Sequence, residues 1–158
     1  MRLEGVKDFA APREVVWSVI DDPAQMAGLM PGVEGFELLD DRRWHANVKV
    51  PLGLGGLRMT IDFERLEERA PAFAALSAKG RGVGALLNMT TSFTLTARDG
   101  GTAMAWEAKV AIAGPVGSMG QRVLQPIVSQ QVANVLAALE TKVAEVHAAQ
   151  ATDPIPTP

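Results

Sequence analysis

Apolar and polar residues alternate with a period of two through the middle of the chain, and helical spacing takes over at both ends. Trp44, Ala46, Val48 and Val50 alternate with His45, Asn47 and Lys49, and Leu57, Met59, Ile61 and Phe63 with Arg58, Thr60, Asp62 and Glu64. Met89, Thr91, Phe93 and Leu95 repeat the pattern, as do Met104, Trp106, Ala108, Val110 and Ile112. Each run predicts a strand with one dry face. Asp40-Asp41, Pro51 to Gly56, Arg69-Ala70-Pro71 and Asp99-Gly100-Gly101 supply the turns of an antiparallel meander. Ahead of it, residues 3–9 predict a short strand. A short helix over 13–20 follows, with Pro12 at its start, and a second opens at Pro23 with Asp22 as cap. Gly114-Pro115 ends the meander and starts the longest helix, carried by Val116, Met119, Val123, Ile127, Val132, Val135, Leu136, Leu139, Val143 and Val146. Pro126 is expected to kink or interrupt its first half.

A curved sheet with one apolar face and a long amphipathic helix hide both faces by wrapping together. The predicted fold is therefore α+β, a helix-grip of about seven strands on a long C-terminal helix, with two short helices after strand one. Residues 1–147 form the predicted domain, and 148–158, with three prolines, a disordered tail. The net charge of -3 and pI near 5.4 leave no basic stripe for nucleic acid. The absence of cysteine excludes disulfides, thiolate metal sites and thiol nucleophiles, and fits a reducing cytoplasm. The first residues are charged and alternating rather than a signal peptide, and no run reaches the roughly 18 apolar residues of a membrane span.

Several short stretches resemble the carbon monoxide dehydrogenase G-subunit family of the START-like superfamily. They are Leu3-Glu4-Gly5, then Ala11 to Trp17, Asp22-Pro23 and Met30-Pro31-Gly32-Val33-Glu34. Val48 to Gly53 and the glycine-rich Ala78 to Gly84 continue the likeness, which covers roughly residues 1–147. The resemblance implies an apolar pocket in a helix-grip fold. It implies an accessory, non-enzymatic role beside a molybdenum hydroxylase of the carbon monoxide dehydrogenase type. It further implies handling of a menaquinone-like quinone and a link to the respiratory chain at the inner face of the cell membrane. Some members carry a C-terminal extension that reaches the membrane, whereas residues 151–158 here hold no apolar anchor. An assembly or docking factor without ligand, and a generic START-like lipid-binding protein, are the alternatives.

The residues themselves point away from catalysis. His45 alternates out of phase with Trp44, and His147 lies near a helix end, so the two histidines make a poor metal site. The acid pairs Asp21-Asp22, Asp40-Asp41 and Glu67-Glu68 are read as solvated turns. The serines show no nucleophile-elbow pattern. The predicted ligand-binding set is Trp44, Val48, Met59, Ile61, Phe63, Met89, Phe93, Met104 and Trp106, with Met119, Val123 and Ile127 from the helix. Methionine adapts to varied apolar shapes, and pockets for such ligands carry few polar groups. For a quinone, Trp44 and Trp106 are the candidates to stack on the ring, with Asn88, Ser118 and Gln121 as polar rim contacts. Leu52, Leu54 and Leu57 flank Gly53-Leu54-Gly55-Gly56 as a gate or partner loop. Gly80, Gly82 and Gly84 bend a strand or leave room for a flat ring.

Overall fold

The computed structural model describes residues 1–51 and 56–151. In chain order the elements are β1 (Arg2–Phe9), α1 (Arg13–Ile20), α2 (Pro23–Leu29), β2 (Val33–Leu38), β3 (Arg43–Val50), β4 (Leu57–Arg69), β5 (Phe73–Gly82), β6 (Ala85–Arg98) and β7 (Gly101–Ala113). A 3-10 turn at Gly117–Met119 then leads into α3 (Gln121–Ala151). All pairings are antiparallel, in one seven-stranded sheet of order β1-β7-β6-β5-β4-β3-β2. The meander runs β2 to β7 through successive neighbours, and β1 closes the far edge against β7. This is the predicted helix-grip arrangement.

Local chemistry sets the element ends. The Asp22 carboxylate accepts from the backbone N–H groups of Ala24 (3.0 Å) and Gln25 (3.4 Å), capping α2 with Pro23 at its first position. The Gln25 side chain donates a further bond to it, and these contacts hold the Asp22 carboxyl below its ordinary range. Thr102, buried where β7 begins, donates its hydroxyl to the Ala11 carbonyl at 2.7 Å. That bond ties the β1–α1 turn to the sheet and satisfies a group that is costly to bury alone.

The long helix departs from expectation in three ways. It begins at Gln121 rather than after Pro115, because the chain turns at Gly114 (φ +88) and Gly120 (φ +82), where left-handed backbone ends helical structure. It continues unbroken through Pro126. The missing N–H removes one bond, to Arg122, and the rest of a 31-residue ladder persists. It also runs past 147 to Ala151, since Ala148-Ala149-Gln150-Ala151 are strong helix formers. The remainder of the predicted tail lies outside the described residues.

One core cluster joins Phe9, α1, Leu95 of β6, Met104 of β7, and Leu139 and Val143 of α3. Leu139 is 1% exposed and Val123, sixteen residues earlier, 43%. Leu139→Ala is expected to destabilise by about 2–5 kcal/mol in urea unfolding. Val123→Ala is expected to stay within about 0.5 kcal/mol of the parent.

Candidate functional site

Strand register, more than any single residue, builds the inner face of the sheet. Directly opposed residues of an antiparallel pair share a face. Ala46, Ile61, Gly80, Leu87 and Ile112 form one row across the strands, and Trp44, Phe63, Ala78, Met89 and Val110 the next. Toward α1 lie the rows Arg65, Leu76, Thr91, Ala108, Leu3 and Glu68, Ala74, Phe93, Trp106, Gly5. Every strand residue of the predicted ligand-binding set therefore falls on this one face.

Packing divides that face. Phe93, Met104 and Trp106 belong to the cluster held by α1 and the C-terminal half of α3. A bare Cβ on Gly5 would meet the Trp106 ring at 3.0–3.1 Å, so the glycine is the seat of that indole. Val48, Met59, Ile61, Phe63 and Met89 belong to a second cluster with Ala46, Ala78 and Ala85, against which Met30, Val33 and Val116 pack. Buried Trp44 stacks on Phe63, with centroids 5.8 Å apart and planes 10° apart. No residue of α3 enters the second cluster. In its N-terminal half Ile127, Val128, Val132 and Val135 are half-buried without belonging to either cluster.

Met119 and Val123, expected to line the pocket, are exposed. Met119 sits in the 3-10 turn, and the break at Gly120 rotates the helix so that Leu124 is buried in place of Val123. Leu57 is half-buried against the second cluster rather than a free gate residue, and Leu52 and Leu54 lie outside the described residues. Gly80 and Gly82 are occupied by Met59, Leu87 and Leu57, leaving no slot for a ring there. Gly84 (φ +77) makes the β5–β6 turn. Asn88 faces outward between Leu87 and Met89, Gln121 is exposed, and the Ser118 hydroxyl donates to the Pro115 carbonyl at 2.6 Å. His45 also faces outward, 3.2 Å from Glu37.

A charged group on the inner face escaped the sequence reading. The alternation that points Ile61 and Phe63 inward points Arg65 inward as well. Its Nη1 donates to Asp21 Oδ1 at 2.5 Å and to Glu68 Oε2 at 3.2 Å, and its Nη2 to the Asp21 carbonyl at 2.7 Å. The guanidinium lies 5.4 Å from the Trp44 ring centroid, a cation–π contact. A bulge between Arg65 and Glu67 shifts the register, so that Glu68 rather than Glu67 opposes inward-facing Ala74. Asp21 and Glu68, each assigned to a separate acid pair in a solvated turn, thus meet around one arginine. A hydrogen bond shared with Asp21 and partial burial push the Glu68 carboxyl above its ordinary value, against the pull of Arg65.

Beside this group is a cleft of about 10 Å³, lined by Ile20, Trp44, Arg65, Leu76 and Phe93 among others. That is room for about one water. An open depression of about 320 Å³ lies over Ser77, Lys79, Asn88, Thr90 and Lys109 on the outer face. Neither takes a ring between sheet and helix, so occupation of the inner face requires side chains to part. Among the described residues no group of acids and histidines is arranged to hold a metal, and no helix is long and apolar enough to cross a membrane.

Residues 5–144 match the CoxG family, the G-subunit of carbon monoxide dehydrogenase. Among solved structures, a conserved protein from Geobacillus kaustophilus superposes with a TM-score of 0.85 at 20% identity, over 93% of this chain and 97% of that one. A START superfamily protein from Mycobacterium smegmatis gives 0.72 at 13% identity, over 92% and 98%. A Thermus thermophilus protein gives 0.68 at 15%, again over 92% and 98%. At these identities the likeness is one of fold. No curated protein matches the sequence.

Glu68 generates a pH signature of definite sign. A carboxyl raised in the folded state binds its proton more tightly there, so its contribution is complete below the ordinary glutamate value and is lost as pH rises through the raised one. Melting curves between about pH 4 and pH 7 are expected to show the parent losing stability relative to Glu68→Gln as pH rises. A constant difference across that range overturns the assignment.

Proposed function

The chain belongs to the CoxG family of carbon monoxide dehydrogenase, and from that premise we propose that it is a non-catalytic accessory protein of a molybdenum hydroxylase. In this reading it takes an apolar ring compound of the menaquinone class between the inner face of the sheet and the N-terminal half of α3. Its place is the cytoplasm, in peripheral contact with the membrane that holds the quinone.

The divided core carries the proposal. A domain with a filled interior usually packs one contiguous core with smaller satellite clusters beside it. Here the buried residues form two clusters, with half-buried Phe63 and Met89 packed against the second, while Ile127 and Val135 of α3 are half-buried outside both. Met59 and Met89 of the second cluster have unbranched side chains that repack at small cost. A ring compound needs a few hundred Å³, more than the closed interior offers, and movement of these side chains and of the helix start supplies it. The family's name, which refers to carbon monoxide dehydrogenase, supports an enzyme of that type as the partner. A second reading, a docking factor with a closed interior, is favoured by the exposed Val83, Leu86, Met119 and Val123 around one end of the molecule.

Ligand binding separates the two. Organic extraction of the purified protein is expected to yield an isoprenoid quinone by mass spectrometry. Titration with short-chain menaquinone is expected to raise the melting temperature saturably, by the equivalent of about 2.7 kcal/mol at a hundredfold excess over Kd. An empty extract and a flat titration contradict the carrier and leave the docking factor.

A further inference from the structure

The inner face carries one feature that an apolar carrier does not need, the arginine cluster at the α1 end. Arg65 is joined to Asp21 and Glu68 through Nη1 and Nη2, while its Nε is buried with no hydrogen-bond partner. Arg13 Nε shares that condition, but only Arg65 lines the cleft with Trp44, Leu76 and Phe93. A buried donor without a protein partner is costly to keep, and an acceptor placed in the cleft beside it removes that cost.

We propose that Arg65 Nε–H is the anchor for the oxygen-bearing end of the ligand, which fixes the orientation of an apolar molecule by donating to a ring carbonyl. The inference rests on the ligand-binding reading above and adds the orientation and the chemical class: an apolar ring with a carbonyl oxygen, in preference to a plain hydrocarbon. Three observations converge on the site. The cleft of about 10 Å³ has room for about one oxygen atom. Trp44, stacked on Phe63, borders it and offers a flat apolar wall to a ring whose carbonyl points at Arg65. Asp21 and Glu68 hold the other guanidinium nitrogens, so the fork cannot swing away and Nε–H stays aimed. The remainder of the ligand then runs along the inner rows toward Met89 and, two rows beyond it, Met59. Nε is shielded from solvent, so the oxygen reaches it from inside, through the same parting of side chains that admits the ring.

Arg65→Lys tests this because it keeps the positive charge beside Asp21 and replaces Nε–H with a methylene. Two probes are titrated by tryptophan fluorescence into parent and variant: a short-chain prenylated 1,4-naphthoquinone, and a naphthalene carrying the same chain and no oxygen. The variant is expected to bind the naphthoquinone about tenfold more weakly and the hydrocarbon within about twofold of the parent. Equal losses for both probes, or no loss for either, overturn the anchor and leave the carrier standing. Binding of neither probe by the parent overturns the carrier and the anchor with it. Should the variant not fold, the arginine Nε–H resonances of the parent supply the same answer. One is expected to shift with the naphthoquinone and stay fixed with the hydrocarbon, and no selective shift overturns the proposal.

Discussion

Seven antiparallel strands produce one continuous apolar face, and withdrawing it from water is the constraint to which the other elements answer. A single helix is too narrow to cover a sheet this wide. Cover is therefore shared: α1 and the C-terminal half of α3 seal one end, and Met30 and Val116 pack against the middle strands. The N-terminal half of α3, with half-buried Ile127, Val128 and Val132, joins neither cluster. The α1 end is the rigid part, with Val16, Val19 and Met104 fully buried.

By reaching the Asp21 carbonyl at the end of α1, Arg65 pins that helix to β4, and a cation there suits the helix dipole. By stacking under Trp44 it sets the floor of the cleft. The bulge that turns Glu68 inward completes the group, so an irregularity of one residue in β4 places a carboxyl on a face that is otherwise almost wholly apolar.

Strand number, meander order and the inner-facing set were legible in the sequence because period-two alternation survives wherever one face is dry. The Asp22 cap and the turns were legible for the same kind of local reason, as was the family through short stretches in fixed order. The start of α3 was not. Val123 and Ile127 fit a helical stripe on spacing alone, and only the turn at Gly120 makes Leu124 the buried residue. The union of Asp21 with Glu68 was hidden because they lie on different elements and the bulge resets the alternation between them. One signal was available: Arg65 continues the inward series of Met59, Ile61 and Phe63, and an arginine in such a position needs partners.

Whether the inner face receives a ligand, and where, is most directly read from the methyl resonances of the methionines, seven in this chain and spread over both regions. In protein labelled at those methyls and titrated with short-chain menaquinone, Met59 and Met89 are expected to shift strongly and saturably. Met104, fully buried in the α1 cluster, and Met119, exposed in the 3-10 turn, are expected to stay nearly still. Unmoved Met59 and Met89, or shifts confined to Met119, would contradict a ligand between sheet and helix.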